Sequence, residues 1–96
     1  MEAMISQRVL IDVVNASCLA NEKHGPLTID PVRACAIMLR EGGEAMNEAL
    51  LMTSPKGAPQ MEARMNLYTE LSQVAATAML IMTHIEEEIE LGKADA

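Results

Sequence analysis

Apolar residues recur along this chain at the three-to-four-residue spacing of amphipathic helices, in three stretches that glycine and proline separate. The first stretch predicts a helix over residues 2–22, with Ile5, Val9 and Val13 on its apolar face. This helix is expected to end before Gly25-Pro26, because glycine followed by proline is a strong stop signal.

The second helix is predicted from Pro31 to about Thr53. Asp30 is a favourable N-cap, and proline is well tolerated at the first helical position because the amide it lacks would be unpaired there. Residues 54–59, which are rich in proline and glycine, predict a loop that is too short to be an interdomain linker.

The third helix is predicted from near Gln60 to Leu91, with Gly92 as a C-cap. A continuous apolar stripe follows its length, formed by Leu67, Leu71, Val74, Ala78, Ile81, Ile85 and Ile89. A polar row runs beside the stripe, formed by Asn66, Glu70, Gln73 and Thr77.

These elements predict an all-α domain over residues 1–96, with three main helices in each subunit. Half of the residues are hydrophobic but only Tyr68 is aromatic, so the core must be built from aliphatic side chains and methionine. The third helix has more apolar circumference than two partner helices can cover. We therefore expect a dimeric or tetrameric helical bundle.

Charge and cysteine content limit the partners and the compartment. The formal net charge is −7, which argues against non-specific binding to nucleic acid or to an anionic membrane. The apolar runs are too short to span a bilayer, and the N-terminus does not resemble a signal peptide. Cys18 and Cys35 are expected to be reduced core residues, since a chain with two cysteines and no secretory signal is typical of the cytoplasm.

Candidate chemistry lies in two rows of acid and amide side chains. Glu41 and Glu44 are three residues apart on the second helix and share a face, which Glu48 extends. Glu70 and Gln73 have the same relation on the third helix. If a helix hairpin brings the two rows together, they form a set of hard oxygen ligands that suits Mg²⁺ or Mn²⁺.

The simpler interpretation is that three acids on one helix face form a solvated surface. Two glycines, Gly42 and Gly43, favour the functional interpretation, because each weakens a helix by about 1 kcal/mol relative to alanine. A bound ligand or a close helix approach would offset that loss.

Three segments resemble the all-α nucleoside triphosphate pyrophosphohydrolases of the MazG-like kind. Glu41-Gly42-Gly43-Glu44 is similar to the Glu-x-x-Glu motif of that family, and Glu70-Leu71-Ser72-Gln73-Val74-Ala75-Ala76 is similar to a segment of its second half. Lys23-His24-Gly25 resembles a Lys-Trp-Gly segment between the first two helices. The similarity covers roughly residues 8–85, and its strength lies in the order and the gaps of the three segments.

The resemblance implies hydrolysis of a nucleoside triphosphate to a monophosphate and pyrophosphate, and it suggests house-cleaning of non-standard nucleotides as the role. It implies that Glu41, Glu44 and Glu70 are catalytic and bind Mg²⁺, with Gln73 as a further metal ligand and Mn²⁺ as a possible substitute.

The resemblance also suggests residues that contact the nucleotide. Lys23 is expected near phosphate and either Asn66 or Asn47 near the nucleotide, and Gln73 is counted with Lys23 and Asn66 among the cofactor-binding residues. Homodimers or homotetramers are the expected assembly.

Departures from the family pattern leave two alternatives open. Gln73 stands where the family has an aspartate, and an amide oxygen ligates Mg²⁺ without supplying charge. The first alternative is therefore that the chain is a nucleotide- or metal-binding module with weakened catalysis. A helical adaptor that holds a partner helix on its methionine-rich face is the other alternative.

Overall fold

The computed structural model of this chain describes residues 4–24, 30–53 and 60–92. These residues form three helices and no strand, so the all-α prediction is confirmed for them. The helices are α1 (Gln7–His24), α2 (Pro31–Met52) and α3 (Gln60–Glu90). None of the helices in these segments is both long and apolar enough to cross a bilayer.

The start of α1 differs from the prediction. Residues 4–6 are not helical, because the Ser6 hydroxyl caps the helix by accepting a hydrogen bond from the Val9 amide at 3.0 Å. The prediction of a helix from residue 2 is therefore wrong over 4–6, and residues 2 and 3 lie outside the described segments. The predicted stop at Gly25-Pro26 and the predicted loop at 54–59 also lie outside them.

The ends of α2 and α3 follow the predicted caps. Asp30 has an extended backbone, and its Oδ1 accepts a hydrogen bond from the Arg33 amide at 3.0 Å. Gly92 has a φ of +71°, the left-handed conformation in which glycine ends helices, and its amide donates to the Ile89 carbonyl at 3.1 Å.

The central element is α3, which packs against α2 on one side and α1 on another. It runs antiparallel to α2, because Ala34 packs against Ile81 whereas Glu48 is hydrogen-bonded to Asn66. It runs parallel to α1, because residues near the start of α1 meet the first half of α3 and Ala20 packs near Ile81. Within the described segments α1 and α2 do not pack directly on each other.

The last turns of α3 extend beyond both other helices. With Ala34 beside Ile81, the antiparallel register brings Pro31 close to residue 84 of α3. At 1.5 Å per residue, the remainder of this 31-residue helix projects about 9 Å further. Ile85 and Ile89 are therefore exposed, together with the glutamates around them.

The buried core is small. Four alanines supply most of it among the described residues, and the larger members are Val13 and Ile81. Cys18 and Cys35 are exposed, so the expectation that they are core residues is wrong; they lie on faces of α1 and α2 that turn away from α3. Twenty large apolar side chains of these segments are exposed.

Candidate active site

The two predicted acid rows face each other across the α2–α3 interface. We refer to Glu41, Glu44, Glu48 and Glu70 as the carboxylate cluster. The antiparallel register that pairs Ala34 with Ile81 also places the acids of α2 beside the polar row of α3. Helical spacing alone therefore predicted which face of each helix carries these groups.

Glu41 is the buried member of the cluster, with an exposed fraction of 7%. Its Oε1 lies 3.3 Å from the hydroxyl of Thr77, which is also buried. The same hydroxyl lies 2.9 Å from the Gln73 carbonyl oxygen, so one proton serves two acceptors. Thr77 therefore holds the Glu41 carboxylate in place but satisfies it only in part.

Glu48 marks the other end of the cluster. Its Oε1 accepts a hydrogen bond from the amide of Asn66 at 3.1 Å. Its Oε2 is buried and has no hydrogen-bond partner among the described residues. A buried oxygen without a partner costs about 1–3 kcal/mol, so this arrangement is unfavourable unless another group satisfies it.

Glu70 has the most perturbed carboxyl group of the cluster. Burial raises its pKa above the ordinary value of 4.5, and the neighbouring Glu44 carboxyl, within hydrogen-bonding reach, raises it further. The negative charges of Glu41 and Glu48 add to the effect. The Oε2 of Glu70 is also buried, and within the described segments it has no hydrogen-bond partner.

No basic side chain in the described segments neutralises this cluster. Arg8 pairs with Asp12 at 3.8 Å and His84 Nε2 lies 2.6 Å from Glu88 Oε1, and both contacts are away from the four glutamates. Carboxylates are rarely gathered in this way unless protons or a cation compensate them.

The donor chemistry of the cluster fits Mg²⁺. Carboxylate oxygens are its preferred protein ligands, and the unpartnered oxygens of Glu48 and Glu70 are available to it. The ligand geometry is not preformed, because no three acid, histidine or cysteine side chains of the described residues already converge as a metal-binding group. Rotamer changes of the long glutamate side chains would be needed to close such a set.

A groove between α1 and α3 adjoins the cluster. Its volume is about 320 Å³, at the lower end of the range for small-molecule sites. Its polar lining comes from Asp12, Asn15 and Lys23 of α1, Glu41 of α2, and Tyr68, Thr69, Ser72 and Gln73 of α3. Glu41 therefore belongs to both features, and it connects the groove to the carboxylate cluster.

The end of the groove nearest the start of α1 holds a tyrosine–aspartate pair. The Tyr68 hydroxyl donates to Asp12 Oδ2 at 2.6 Å. This hydrogen bond raises the pKa of Tyr68 above its ordinary value of 10.0, and the Asp12 charge adds to the effect, whereas Arg8 lowers it. Lys23 lies about three helical turns further along α1.

The predicted site residues thus separate into two groups. Glu41, Glu44 and Glu70 come together, whereas Lys23 and Gln73 line the groove. Asn66, which was expected near the nucleotide, is engaged by Glu48 at the far end of the cluster.

The sequence interpretation missed Asp12, Asn15 and Ser72 as groove residues. The polar residues Asp12 and Asn15 are three apart on α1, which is a usable signal because they must share a face. That face turns toward α3 only in the folded structure.

Comparisons of this chain with protein families, with curated proteins and with solved structures find no match. The functional argument therefore rests on the geometry and chemistry of the cluster and the groove.

Proposed function

We propose that this protein is a Mg²⁺-dependent nucleoside triphosphate pyrophosphohydrolase of the MazG-like kind, active as a homo-oligomer. The observation that carries the proposal is the carboxylate cluster, which has no basic partner in the described segments and shares Glu41 with a ligand-sized groove. An acidic protein can bind a triphosphate when a divalent cation lies between the two sets of negative charge.

Glu41, Glu44 and Glu70 are the proposed metal ligands, and Gln73 offers an amide oxygen beside them. Bound Mg²⁺ supplies Lewis-acid polarisation of a phosphoryl oxygen and neutralises phosphate charge. Thr77 orients the Glu41 carboxylate through its hydrogen bond, the role that neighbouring donors commonly have around ligating carboxylates.

A carboxylate of the cluster that is not fully engaged by the metal is the proposed general base. Attack of a water oxygen on the α-phosphorus breaks the bond to the bridging oxygen of pyrophosphate, and the water proton passes to the carboxylate. The products are a nucleoside monophosphate and pyrophosphate.

The groove is the proposed nucleotide site. Lys23 lines it and offers an ammonium group for phosphate. Asp12, Asn15 and Tyr68 offer donors and acceptors that suit the edge of a base or the hydroxyls of a sugar. A volume of about 320 Å³ accommodates part of a nucleotide, with the phosphates extending toward Glu41.

A binding module without turnover is the second candidate, and Gln73 favours it. This side chain lies in the groove beside Glu41, where an aspartate would add a further negative ligand. A neutral amide in that place lowers the affinity for Mg²⁺ and therefore the fraction of loaded protein.

The deciding experiment measures pyrophosphate release from a panel of canonical and modified nucleoside triphosphates, with and without Mg²⁺. Glu44→Gln is compared with Glu87→Gln, a matched change on the exposed end of α3. We expect release that requires Mg²⁺ and falls roughly a hundredfold in Glu44→Gln, since even residues that only support a metal ligand contribute 10–100-fold. Glu87→Gln should retain full activity.

Calorimetric titration separates the remaining outcomes. Mg²⁺-dependent nucleotide binding by folded protein that releases no pyrophosphate would favour the binding module. Absence of both binding and release would reject both candidates, and equal activity of the two variants would remove Glu44 from the site.

A further inference from the structure

The Asp12 carboxylate lies at one end of the groove between α1 and α3, where Tyr68 holds it. The Tyr68 hydroxyl donates to Asp12 Oδ2 at 2.6 Å, and the Nε of Arg8 lies 3.8 Å from the same oxygen. The Arg8 side chain is 89% exposed, so solvent screens its charge and Asp12 stays a strong acceptor. Because a carboxylate has about four lone-pair sites, these contacts leave Oδ1 and one site on Oδ2 for a ligand.

Asn15 extends this acceptor along the same wall of the groove. It lies three residues after Asp12 on the same face of α1, and both side chains line the groove. Residues with this spacing on a helix have Cβ atoms about 5–6 Å apart. A ligand in the groove therefore meets a two-oxygen acceptor next to an amide that donates through its NH₂ group.

Guanine is the common nucleobase whose edge matches this pair of side chains. A carboxylate only accepts hydrogen bonds, so a two-point contact with a base needs two neighbouring N–H donors. Guanine offers them as N1–H and N2–H, with the O6 acceptor beside them. Adenine and cytosine place a ring acceptor next to the amino group, and uracil has a single N–H between two carbonyl oxygens. In those bases one carboxylate oxygen would face a lone pair, which is repulsive.

The position of Asp12 favours a base over a ribose, whose two hydroxyls also suit a carboxylate. The carboxylate cluster approaches the groove at Glu41, beside Gln73 and Thr77. Tyr68 precedes these two residues by five and nine positions, which is about 8–14 Å along α3 at 1.5 Å per residue. The ribose hydroxyls lie only a few bonds from the phosphates, whereas the Watson–Crick edge is the far end of a nucleotide. With the phosphates near Glu41, Asp12 therefore meets the base.

We infer that the groove selects guanine. Asp12 accepts hydrogen bonds from N1–H and N2–H of the base, and Asn15 donates to O6. Tyr68 is a positioning residue, because it acts through its hydrogen bond to the Asp12 carboxylate. The inference rests on the proposed nucleotide site, and it names the base that this site holds.

NMR titration of the isotope-labelled full chain tests the selection with nucleoside monophosphates. Mg²⁺ is left out, so that neither metal binding nor turnover affects the result. We expect guanosine monophosphate to bind most tightly and to shift the α1 amides around Asp12. Inosine monophosphate, which differs by loss of the N2 amino group, should bind roughly tenfold more weakly, within the range that a two-point contact contributes to base discrimination. Adenosine monophosphate should bind more weakly still.

Asp12→Asn separates recognition of the base from a structural role. Asparagine offers one acceptor and one donor, which match the N1–H and the O2 of xanthine. The variant should lose the preference for guanosine monophosphate and should bind xanthosine monophosphate roughly tenfold more tightly than the unaltered chain does. A residue that only supports the fold would not produce this gain.

Asp30→Asn is the matched control. Asp30 caps α2 and does not line the groove, and asparagine is an equally good cap. This variant should keep the preference for guanine.

The inference is overturned by equal affinity for guanosine and inosine monophosphates, by a guanine preference that survives Asp12→Asn, or by failure of every monophosphate to bind. Deoxyguanosine monophosphate should bind as well as the ribonucleotide. Weaker binding of the deoxynucleotide, together with undiminished binding of inosine monophosphate, would assign Asp12 to the sugar and reject its role at the base.

The titration measures base recognition separately from the proposed hydrolysis. Mg²⁺-dependent pyrophosphate release without preference among bases would support the hydrolase and reject guanine selection. Guanine-selective binding without pyrophosphate release would support the selection and reject the hydrolase.

Discussion

Glu70 shows how one side chain can serve function at the expense of stability. Burial and three neighbouring acids disfavour its negative charge, and one of its oxygens has no hydrogen-bond partner. Such a group lowers the stability of the folded state, but it also provides a ligand for a cation. The carboxylate rows themselves were predictable, because helical spacing fixes which residues share a face.

The first prediction is that Glu70→Gln stabilises the metal-free protein at neutral pH. The folded state binds the Glu70 proton more tightly than the unfolded chain, so the free energy of unfolding falls as pH rises from about 4.5 through the raised pKa. Removing the charge should raise the free energy of unfolding at pH 7 by roughly 0.5–1 kcal/mol, because the side chain is partly exposed and solvent screens the neighbouring charges. Urea unfolding in EDTA across this pH range measures the free energy of unfolding of both proteins.

Glu87→Gln is the control, because Glu87 is exposed and lies outside the carboxylate cluster. An unaltered or lower stability of Glu70→Gln would show that the Glu70 carboxylate is compensated in solution.

The second prediction concerns Tyr68, whose absorbance is unambiguous because it is the only tyrosine. The hydrogen bond to Asp12 raises the pKa of Tyr68 above 10.0, so Asp12→Asn should lower it toward that value. Arg8 acts in the opposite direction, so Arg8→Gln should raise it further. Spectrophotometric titration measures all three proteins, and identical curves would place the Tyr68 hydroxyl away from Asp12.

At the scale of elements, local signals decided which helix ends were predictable. Asp30 and Gly92 act through their own side chain or backbone, so the sequence shows them directly. Ser6 also caps its helix through its own side chain. It follows Ile5, however, which belongs to the apolar pattern, so that pattern predicted a helix on both sides of Ser6. The rotation of α1 about its axis, which exposes Cys18 and turns Asp12 to the groove, follows from packing on α3 and has no local signal.

The third prediction is that Gly43→Ala stabilises α2 by about 0.5–1 kcal/mol, the difference in helix propensity. A Cβ atom at Gly43 would meet nothing within 4 Å, and the same holds at Gly42. Among the residues that the structure describes, no close helix approach offsets these two glycines, so the close approach that the sequence suggested is not found there. Thermal unfolding measures the change.

Loss of stability or of activity in Gly43→Ala would contradict the propensity argument and would place a ligand or a second copy against this part of α2. Glu87→Ala, also a change to alanine at an exposed helical position, controls for the effect of alanine itself.

At the scale of the whole molecule, this chain buries little for its length. Its radius of gyration is 15.9 Å, whereas a compact chain of 96 residues has about 12.5 Å. The excess of apolar surface was predictable from the breadth of the apolar stripe on helix 3. The distribution of that surface over the three helices was not predictable, because it depends on how α1 and α2 pack around α3.

The fourth prediction follows from that exposed surface: stability should depend on protein concentration. When folding and dimerisation are coupled, a tenfold increase in concentration adds about 1.4 kcal/mol per dimer, or roughly 3–5 °C in Tm. Calorimetry over two decades of concentration measures the shift. A Tm independent of concentration would indicate a stable monomer.

The connectivity of the three helices also implies an order of folding. The α2–α3 contacts close over 18 residues at one end, from Glu48 to Asn66, whereas the Asp12–Tyr68 hydrogen bond spans 56. Short loops close faster, so the α2–α3 hairpin should form before α1 docks. The groove is then the last feature to assemble and the first to open.

This order has a consequence for how a ligand enters. Transient detachment of α1 opens the groove while the carboxylate cluster stays intact, since all four glutamates lie on α2 and α3. Native-state hydrogen exchange should show α1 amides exchanging before those at the centre of α3, and equal protection would argue for a single cooperative unit. A nucleotide that bridges α1 and α3 would slow the exchange of α1, so the mobility of one helix would report occupancy of the site.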